Sequence, residues 1–247
     1  MIMNIKDKIR DFCAEIGFDD CGFAKVGEVE NDKRRFFENW LKNGYNAGMQ
    51  WIERNTDIRF NPKLLMENAE AAIVVLQNHN FKIENNDGKL ARCFLAKEDY
   101  HVSIKRKLNV LSQKISEIMP EAKFRPCVDT APILEKYWAQ KAGLGVVGKN
   151  TVFISNKIGS FCNIGILLID KQLQTEKHSE PQNLCENCDN CIKSCPTNAL
   201  IAAYTLDCNK CISYQSFYVN KNDKIKGCDV CQEVCPRNIN RSSLDCG

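Results

Sequence analysis

Two cysteine runs decide the fold of the C-terminal part of this chain: CENCDNCIKSCP at residues 185–196 and CDVCQEVCP at residues 228–236. Thiolates are soft ligands that bind iron well, and two-residue spacers let a tight loop direct three sulfurs at one cluster. The first run follows the C-x2-C-x2-C-x3-C-P pattern, in which the fourth cysteine ligates the other of two clusters. The two runs therefore predict a ferredoxin-like module that holds two 4Fe-4S clusters.

The same pattern predicts which cysteines share a cluster. The predicted ligands of the first cluster are Cys185, Cys188, Cys191 and Cys235. Those of the second cluster are Cys195, Cys228, Cys231 and either Cys208 or Cys211, between which spacing does not decide. Zinc sites with four cysteines use the same C-x2-C pairs, but a third cysteine at this spacing followed by C-P is unusual for a tetrahedral zinc ion.

Composition is that of a soluble globular protein, with 247 residues of which 44% are hydrophobic and 26% are charged. The N-terminal stretch has no apolar signal region, and the longest apolar runs are far shorter than the roughly twenty residues that span a bilayer. We therefore expect a cytoplasmic protein without a membrane segment. In that compartment, 15 cysteines favour metal or redox chemistry over disulfides. A net charge of +3 does not by itself indicate nucleic-acid binding.

Upstream of the cysteines, helical and strand patterns alternate. Helices are predicted at residues 5–16, 34–42, 62–68, 100–119 and 132–143, the first of them closed by Gly17. Strands are predicted at residues 21–26, 71–76, 124–129, 151–155 and 161–170. This order indicates an α/β or α+β domain at residues 1–175 and, after a polar linker that reaches Pro181, a ferredoxin-like two-cluster domain within residues 176–247.

A glycine-rich stretch, GLGVVGKN at residues 143–150, matches both G-x-G-x-x-G and G-x-x-x-x-G-K. Both motifs bind phosphate only when the glycines follow a strand and begin a helix. Here a predicted helix leads in and a predicted strand leads out, and Asn150 stands where a P-loop has Ser or Thr. The glycines are therefore predicted to allow a close backbone approach to a bulky ligand or to cap the helix.

Several stretches resemble the epoxyqueuosine reductase family, which is related to the reductive dehalogenases. They are VDTAPILEKYWAQKAGLGVVGKNT at residues 128–151, GMQWIERN from Gly48, the ARCF and DYH pieces between Ala91 and His101, and the cysteine runs with CISY and GCDVCQEVCP. The resemblance extends over most of the chain. It implies a cobalamin-binding domain with the two-cluster module packed against it.

The resemblance also implies a reaction. Electrons from an external low-potential donor, such as a flavodoxin or ferredoxin, would pass through the clusters to cobalt. Reduced cobalamin would then remove the epoxide oxygen of a queuosine precursor carried on the anticodon stem-loop of tRNA. In the family the aspartate of the VD-[ST]-AP motif is the proposed proton donor, and it matches Asp129; the cysteine of CISY matches Cys211, which leaves Cys208 as a spare.

Asp129 has two interpretations on physical grounds. A positioned acid that protonates the oxygen of an opening epoxide contributes about 10² to 10⁴ in rate, and a carboxyl enclosed beneath a macrocycle is expected to have a raised pKa. From the residues alone, Asp129 also fits a helix N-cap before the predicted helix at 132–143. With the resemblance, we favour the acid.

The resemblance implies further contacts to cobalamin from six residues: Arg54, Cys93, Lys149, Asn150, Thr151 and Ser160. Cys93 fits equally a small buried apolar residue, and His101 fits a polar contact or a helix start. The basic runs at 33–35 and 105–107 are predicted to be solvated helix faces, although a tRNA substrate requires some basic surface.

Some features depart from the family. Family members that act on tRNA usually continue into a helical repeat domain, whereas this sequence ends at Gly247 and carries Arg237 where a tryptophan is usual, so we expect a short form. Two alternatives stay open. One is a corrinoid iron-sulfur reductase with another, small-molecule substrate, and the other is a two-cluster electron-transfer protein without a corrinoid.

Overall fold

The computed structural model describes residues 4–81, 90–173, 184–219 and 226–238. The helices are α1 Ile5–Ile16, α2 Asn31–Lys42, α3 Gln50–Glu53, α4 Thr56–Phe60, α5 Tyr100–Ile118, α6 Glu135–Lys141, α7 Asn190–Lys193, α8 Ile212–Tyr214 and α9 Val230–Glu233. The strands are β1 Asp20–Lys25, β2 Ala71–Asn78, β3 Phe124–Cys127, β4 Gly145–Val147, β5 Phe153–Ser155, β6 Cys162–Ile169, β7 Leu200–Ala202 and β8 Thr205–Leu206. The predicted domain boundary after residue 175 and its linker lie outside the described residues.

A four-stranded sheet in the order β1-β2-β6-β3 forms the centre of the first region. Its pairs are all antiparallel, with Ala71 opposite Ile169 and Phe124 opposite Ile169 on the other side of β6. The sequence pattern allowed either an α/β or an α+β domain. Because α/β domains are built from parallel strands joined by crossover connections, the antiparallel pairing indicates the α+β class. In the part of the chain that the structure describes, no helix is long and apolar enough to cross a bilayer.

Helices cover both faces of this sheet, which is why β2 is buried along its apolar run. Ile73 and Val75 pack with α1 and α5, whereas Val74 and Leu76 pack with Trp138 of α6 on the opposite face. Side chains alternate between the two faces of a strand. The all-apolar run therefore supplies two hydrophobic cores at once, and it holds α5 and α6 on opposite sides of the sheet.

The ends of α1 and α5 follow from capping residues. Asn4 accepts a hydrogen bond from the Lys6 N–H (3.2 Å) before α1, and Gly17 ends that helix in a left-handed conformation with φ of 87°. Asp99 accepts from the His101 N–H (2.8 Å) at the start of α5. The predicted helices at 5–16 and 100–119 are thus confirmed, and the first turn of α5 carries a titratable side chain next to its cap.

Two helix predictions need correction. The helix predicted at residues 62–68 is a single 3-10 turn, Pro62–Leu64, because the segment is too short to propagate a helix before β2 begins. The helix predicted from Pro132 begins at Glu135, after two tight turns, and no side chain caps it. The N-cap interpretation of Asp129 is therefore wrong, and its carboxylate is available for other contacts.

The glycine-rich stretch forms a β-hairpin, with β4 paired to β5 after the end of α6. The predicted order of helix before and strand after is confirmed. A Cβ at Gly145 would lie 2.1 Å from the carbonyl oxygen of Ile154, so this glycine is required for a close approach between two strands. The sequence suggested that the glycines allow the backbone to approach a bulky ligand. At Gly145 the backbone instead approaches strand β5.

Candidate functional site

A cavity of about 420 Å³ lies between the sheet region and the cysteine runs. One wall carries polar side chains from the first region, namely Tyr100, Asp129, Glu135, Lys136, Asn150 and Thr151. The same cavity is lined by four cysteines, Cys195, Cys211, Cys228 and Cys231. The cavity thus brings the predicted acid and one complete predicted cluster set to a single space.

Asp129 lies at the end of β3, where the chain leaves the sheet. Its φ of 41° falls in the left-handed region, which aspartate tolerates better than most residues do. The loop is held by the Glu135 carboxylate, whose Oε1 accepts a hydrogen bond from the Asp129 N–H at 2.6 Å. The first residue of α6 therefore fixes the direction of the acid, which lies six positions before it in the sequence.

A chain of hydrogen bonds runs outward from Asp129. Its Oδ2 lies 2.8 Å from Nε2 of His101, and Nδ1 of the same ring lies 2.7 Å from Oδ1 of Asp99. Burial lowers the pKa of His101, but its bonds to Asp129 and Asp99 outweigh burial and leave that pKa above its ordinary value. The ring also stacks on Tyr100, with centroids 4.0 Å apart. The arrangement favours an imidazolium between two carboxylates.

Three other titratable groups on this wall have shifted pKa values. Burial raises the pKa of Glu135 to about 8. Burial, and then the charge of Asp129, raises the pKa of Tyr100. Burial lowers the pKa of Lys136, whose Nζ donates to the Thr151 carbonyl at 2.8 Å. Such clustering of shifted groups is common at functional sites.

The pKa shifts of the cysteines show which thiols lie near one another. In the first group, burial and then the neighbouring thiols of Cys185, Cys235 and Cys188 raise the pKa of Cys191. Lys149 supports this loop, since its Nζ donates to the carbonyls of Glu186 (2.7 Å) and Cys188 (2.9 Å). The donor set is that of a 4Fe-4S cluster, namely four thiolates from two loops.

In the second group, burial and the neighbouring thiols of Cys211 and Cys195 raise the pKa of Cys228. Burial, Cys228 and Cys211 raise that of Cys231 to about 12. Cys208 is buried beside Cys211 and does not line the cavity. Among the described residues no three Cys, His, Asp or Glu side chains converge on a single metal ion.

The other residues that the resemblance suggested as cobalamin contacts divide into two groups. Asn150 and Thr151 line the cavity. Lys149 faces the first cysteine run, as described above. Ser160 is buried, and its Oγ donates to Oε1 of Gln232 at 3.0 Å. These two side chains join the two regions of the molecule and do not border the cavity.

Arg54 and Cys93 also lie away from the cavity lining. Arg54 is exposed at the end of α3. Cys93 is half-buried, and burial followed by the charge of Asp229 raises its pKa to about 12.

Most residues of the basic runs are exposed, as predicted, and some form ion pairs at the surface. Arg34 forms ion pairs with Glu38 (2.9 Å) and Asp57 (2.6 Å), and Arg106 pairs with Glu98 at 2.7 Å. Lys107 differs from the prediction of a solvated face, because it is half-buried and its Nζ donates to the Gly17 carbonyl at 2.9 Å.

Sequence reasoning missed Glu135, Lys136 and Tyr100 as members of the site. An acidic residue at a helix start is common, since it complements the helix dipole. Glu135 therefore carried no distinctive signal. Tyr100 stands in the DYH piece, and Glu135 and Lys136 stand in the stretch at 128–151, so the resemblance covered all three positions without assigning them a role.

Fold and site together define an iron-sulfur protein in which four cysteines and the carboxyl group of Asp129 line one cavity. The model of the epoxyqueuosine reductase QueG family, DUF1730, matches residues 59–130, and that of the 4Fe-4S double cluster binding domain matches residues 184–238. The chain is 38% identical over 252 residues to the epoxyqueuosine reductase of Cellulophaga algicola, covering 96% of this chain and 81% of that protein. This chain belongs to the epoxyqueuosine reductase family, and it is an oxidoreductase.

Solved structures show the same fold. An epoxyqueuosine reductase in complex with an epoxyqueuosine-modified stem loop of tRNA-Tyr matches with a TM-score of 0.85 and 23% identity, covering 98% of this chain and 67% of that one. A reductive dehalogenase whose structure is described as suggesting B12-dependent dehalogenation matches with a TM-score of 0.57 and 15% identity, covering 93% and 31%. The predicted resemblance and the prediction of two clusters are both confirmed.

Proposed function

We propose that this protein reduces epoxyqueuosine to queuosine in tRNA, with cobalamin bound in the cavity and electrons delivered through two 4Fe-4S clusters. The observation that carries the proposal is the cavity itself, which is lined by Asp129 and by four cysteines of one cluster set. A reductive deoxygenation needs a proton source and an electron source at the same atom.

The residues of the cavity fit cobalamin. Its apolar walls suit the faces of a corrin ring and come from Val152, Phe153, Ile164, Leu200, Leu206, Ile212 and Val230. Its polar groups suit the amide side chains of the ring and come from Asn150, Thr151, Asn163, Ser213 and Gln232. When bound, cobalamin supplies the low-valent cobalt at which a carbon–oxygen bond of the epoxide is broken.

The two cysteine sets fit one cluster each. Cys185, Cys188, Cys191 and Cys235 would hold the first cluster, and Cys195, Cys211, Cys228 and Cys231 would hold the second. The charge of Cys191 contributes to the raised pKa of Cys231, so the two sets lie close to each other. Electrons from an external low-potential donor, such as a flavodoxin or ferredoxin, would enter at the first set and leave from the second, which borders the cavity.

Asp129 would act as the proton donor to the epoxide oxygen. Its carboxylate borders the cavity and is oriented by Glu135 and His101. Proton transfer by a positioned acid is worth about 10² to 10⁴ in rate. Since tRNA is the substrate of this proposal, we expect the reaction in the cytoplasm.

The test is anaerobic reconstitution of the full chain with iron, sulfide and cob(II)alamin, followed by desalting. We expect a retained corrinoid with a base-off electron paramagnetic resonance signal, and loss of one oxygen from an epoxyqueuosine-containing anticodon stem-loop by mass spectrometry. Asp129→Asn should retain the corrinoid but lower kcat by about 10² to 10⁴, whereas the exposed Asp7→Asn should not change it. A chain that keeps both clusters but no corrinoid would contradict the proposal and favour an electron-transfer protein; corrinoid without stem-loop conversion would favour another substrate.

A further inference from the structure

The hydrogen-bonded chain Asp129–His101–Asp99 leads from the cavity to solvent. Asp129 lines the cavity, and the side chain of Asp99 at the other end is 62% exposed. His101 lies between them with 35% of its side chain exposed. The three groups come from two elements, the loop after β3 and the start of α5, so the contact depends on the packing of the fold.

Both ring nitrogens of His101 face carboxylate oxygens, at 2.7 and 2.8 Å. Only the imidazolium form can donate at both nitrogens at once. The facing titratable groups are Asp99 and Tyr100 from its own element, and Asp129 and Glu135 from the loop and helix that follow β3. Arg59 of α4 also lies near Asp129, because the charge of Asp129 opposes the burial that lowers the pKa of Arg59. The carboxylate of Asp99 therefore favours a charged ring, and Oδ2 of Asp129 accepts from that ring even while the other oxygen of Asp129 carries a proton.

The proposed reaction consumes two protons. Conversion of an epoxide to an alkene takes up two electrons and two protons: one proton binds the oxygen as the ring opens, and another is needed for that oxygen to leave as water. Asp129 carries at most one transferable proton. A second proton must therefore reach the same oxygen within one turnover.

We propose that His101 stores this second proton and passes it to Asp129, and that Asp99 positions His101; this inference rests on the proposed function. After Asp129 has given its proton to the substrate oxygen, the Nε2–H bond of the imidazolium breaks and an Oδ2–H bond forms on Asp129. Asp129 then protonates the departing oxygen. His101 is left neutral with its Nδ1–H on Asp99, and Asp129 is left ionised. Two protons from water, one for each group, restore the starting state at the end of the turnover. The two electrons come from the external donor of the proposed function.

Titration of His101 in the full chain is the test that does not depend on activity. The chain has three histidines, so a ring-proton or ring-nitrogen NMR titration can be assigned with His101→Gln. We expect the midpoint of His101 to lie above that of an ordinary histidine and to fall in both Asp99→Asn and Asp129→Asn. Glu98→Gln is the matched control, since Glu98 is adjacent and pairs with Arg106 outside the chain of hydrogen bonds. An unchanged midpoint in both aspartate variants would overturn the proton store.

Kinetic measurements with the reconstituted enzyme and an epoxyqueuosine-modified stem-loop test whether the proton on His101 is used in catalysis. His101→Gln should lower kcat at least about tenfold with KM unchanged, and imidazole in the buffer should restore part of the kcat of His101→Ala. A merely structural role would not be rescued by imidazole, so full activity in His101→Gln or absence of rescue would overturn the proposal. If the wild-type chain itself does not convert the stem-loop, the proposed function fails and the catalytic use of the store fails with it. The titration would still decide whether His101 holds a proton between two carboxylates.

Discussion

Asp129 combines an unfavourable backbone with a favourable set of partners. Its positive φ costs conformational energy that a helix or strand residue does not incur, and such residues persist where the surroundings hold them. Here the holding groups are Glu135 at the N–H and His101 at the carboxylate. Local strain at this residue is therefore part of how the acid is aimed into the cavity.

Glu135 provides a prediction on stability. Burial raises its pKa to about 8 from an ordinary value of 4.5, so the folded state binds its proton more tightly than the unfolded state does. The contribution of protonated Glu135 to the free energy of unfolding is fully present below about pH 4.5. It is lost as the pH rises through about 8. Glu135→Gln should remove this part of the pH dependence, since glutamine keeps the carbonyl acceptor for the Asp129 N–H.

The measurement is the midpoint of anaerobic thermal unfolding at several pH values between 5 and 8.5, and the effect should not exceed a few kcal/mol, since one pKa unit equals about 1.4 kcal/mol. The exposed Glu121→Gln serves as the control. A wild-type slope that survives in Glu135→Gln would contradict this assignment.

Cys208 and Cys211 offer a matched pair for cluster binding. Cys211 borders the cavity with three other cysteines, while Cys208 lies beside it in a buried position that faces Lys136. Cys211→Ala should therefore lose about half of the iron and acid-labile sulfide after reconstitution. Cys208→Ala should retain both clusters. Equal losses in the two variants would mean that the fourth ligand is not Cys211.

At the scale of elements, Gly165 sets the distance between α5 and the sheet. A Cβ at this position in β6 would lie 2.7 Å from Cγ2 of Ile104 and 3.1 Å from Cγ2 of Val75. Because α5 packs directly on the backbone of β6, its first turn can place His101 beside Asp129, which follows the neighbouring strand β3. The glycine thus belongs to the geometry of the site although it does not line it.

Gly165→Ala should lower the free energy of unfolding by about 1 to 3 kcal/mol, the usual cost of adding a methyl group to a packed core. Gly27→Ala is the control, because a Cβ at Gly27 meets no atom within 4 Å. Denaturant unfolding under anaerobic conditions measures the difference. Equal stability of the two variants would show that α5 does not depend on this contact.

At the scale of the whole molecule, buried hydrogen bonds join the sheet region to the second cysteine run. Asn238 accepts from the Ser160 N–H (2.9 Å) and donates to Ser160 Oγ (2.8 Å) and to the Gln232 carbonyl (2.7 Å). Asn150 donates to the Cys231 carbonyl at 3.2 Å. Asn150, Cys231 and Gln232 line the cavity, so the position of the cysteines relative to Asp129 depends on these contacts.

Asn238→Ala should cost about 1 to 3 kcal/mol, because it leaves the buried Ser160 N–H without its partner. It should also speed the loss of the second cluster, which Cys228 and Cys231 would bind, when a chelator is added; the decay of visible absorbance measures this loss. The exposed Asn43→Ala is the control and should change neither quantity. Unchanged decay in Asn238→Ala would mean that these bonds do not hold the cysteine run in place.

The sequence by itself determined the features that depend on neighbouring residues. Cysteine spacing was sufficient for the prediction of two clusters, and apolar periodicity with the Asn4 and Gly17 caps was sufficient for α1. The start of α6 was misplaced because two tight turns, which carry no strong sequence signal, precede Glu135. Spacing, periodicity and capping are local, so they can be interpreted without knowledge of the fold.

Only the tertiary structure decided the antiparallel sheet order and the contact of His101 with Asp129. Those two side chains are 28 positions apart, and they meet because α5 and β3 both pack against β6. Contacts of this kind depend on how buried surfaces fit together across the whole chain. No local pattern specifies them, which is why the acid was predictable from the sequence and the groups that orient it were not.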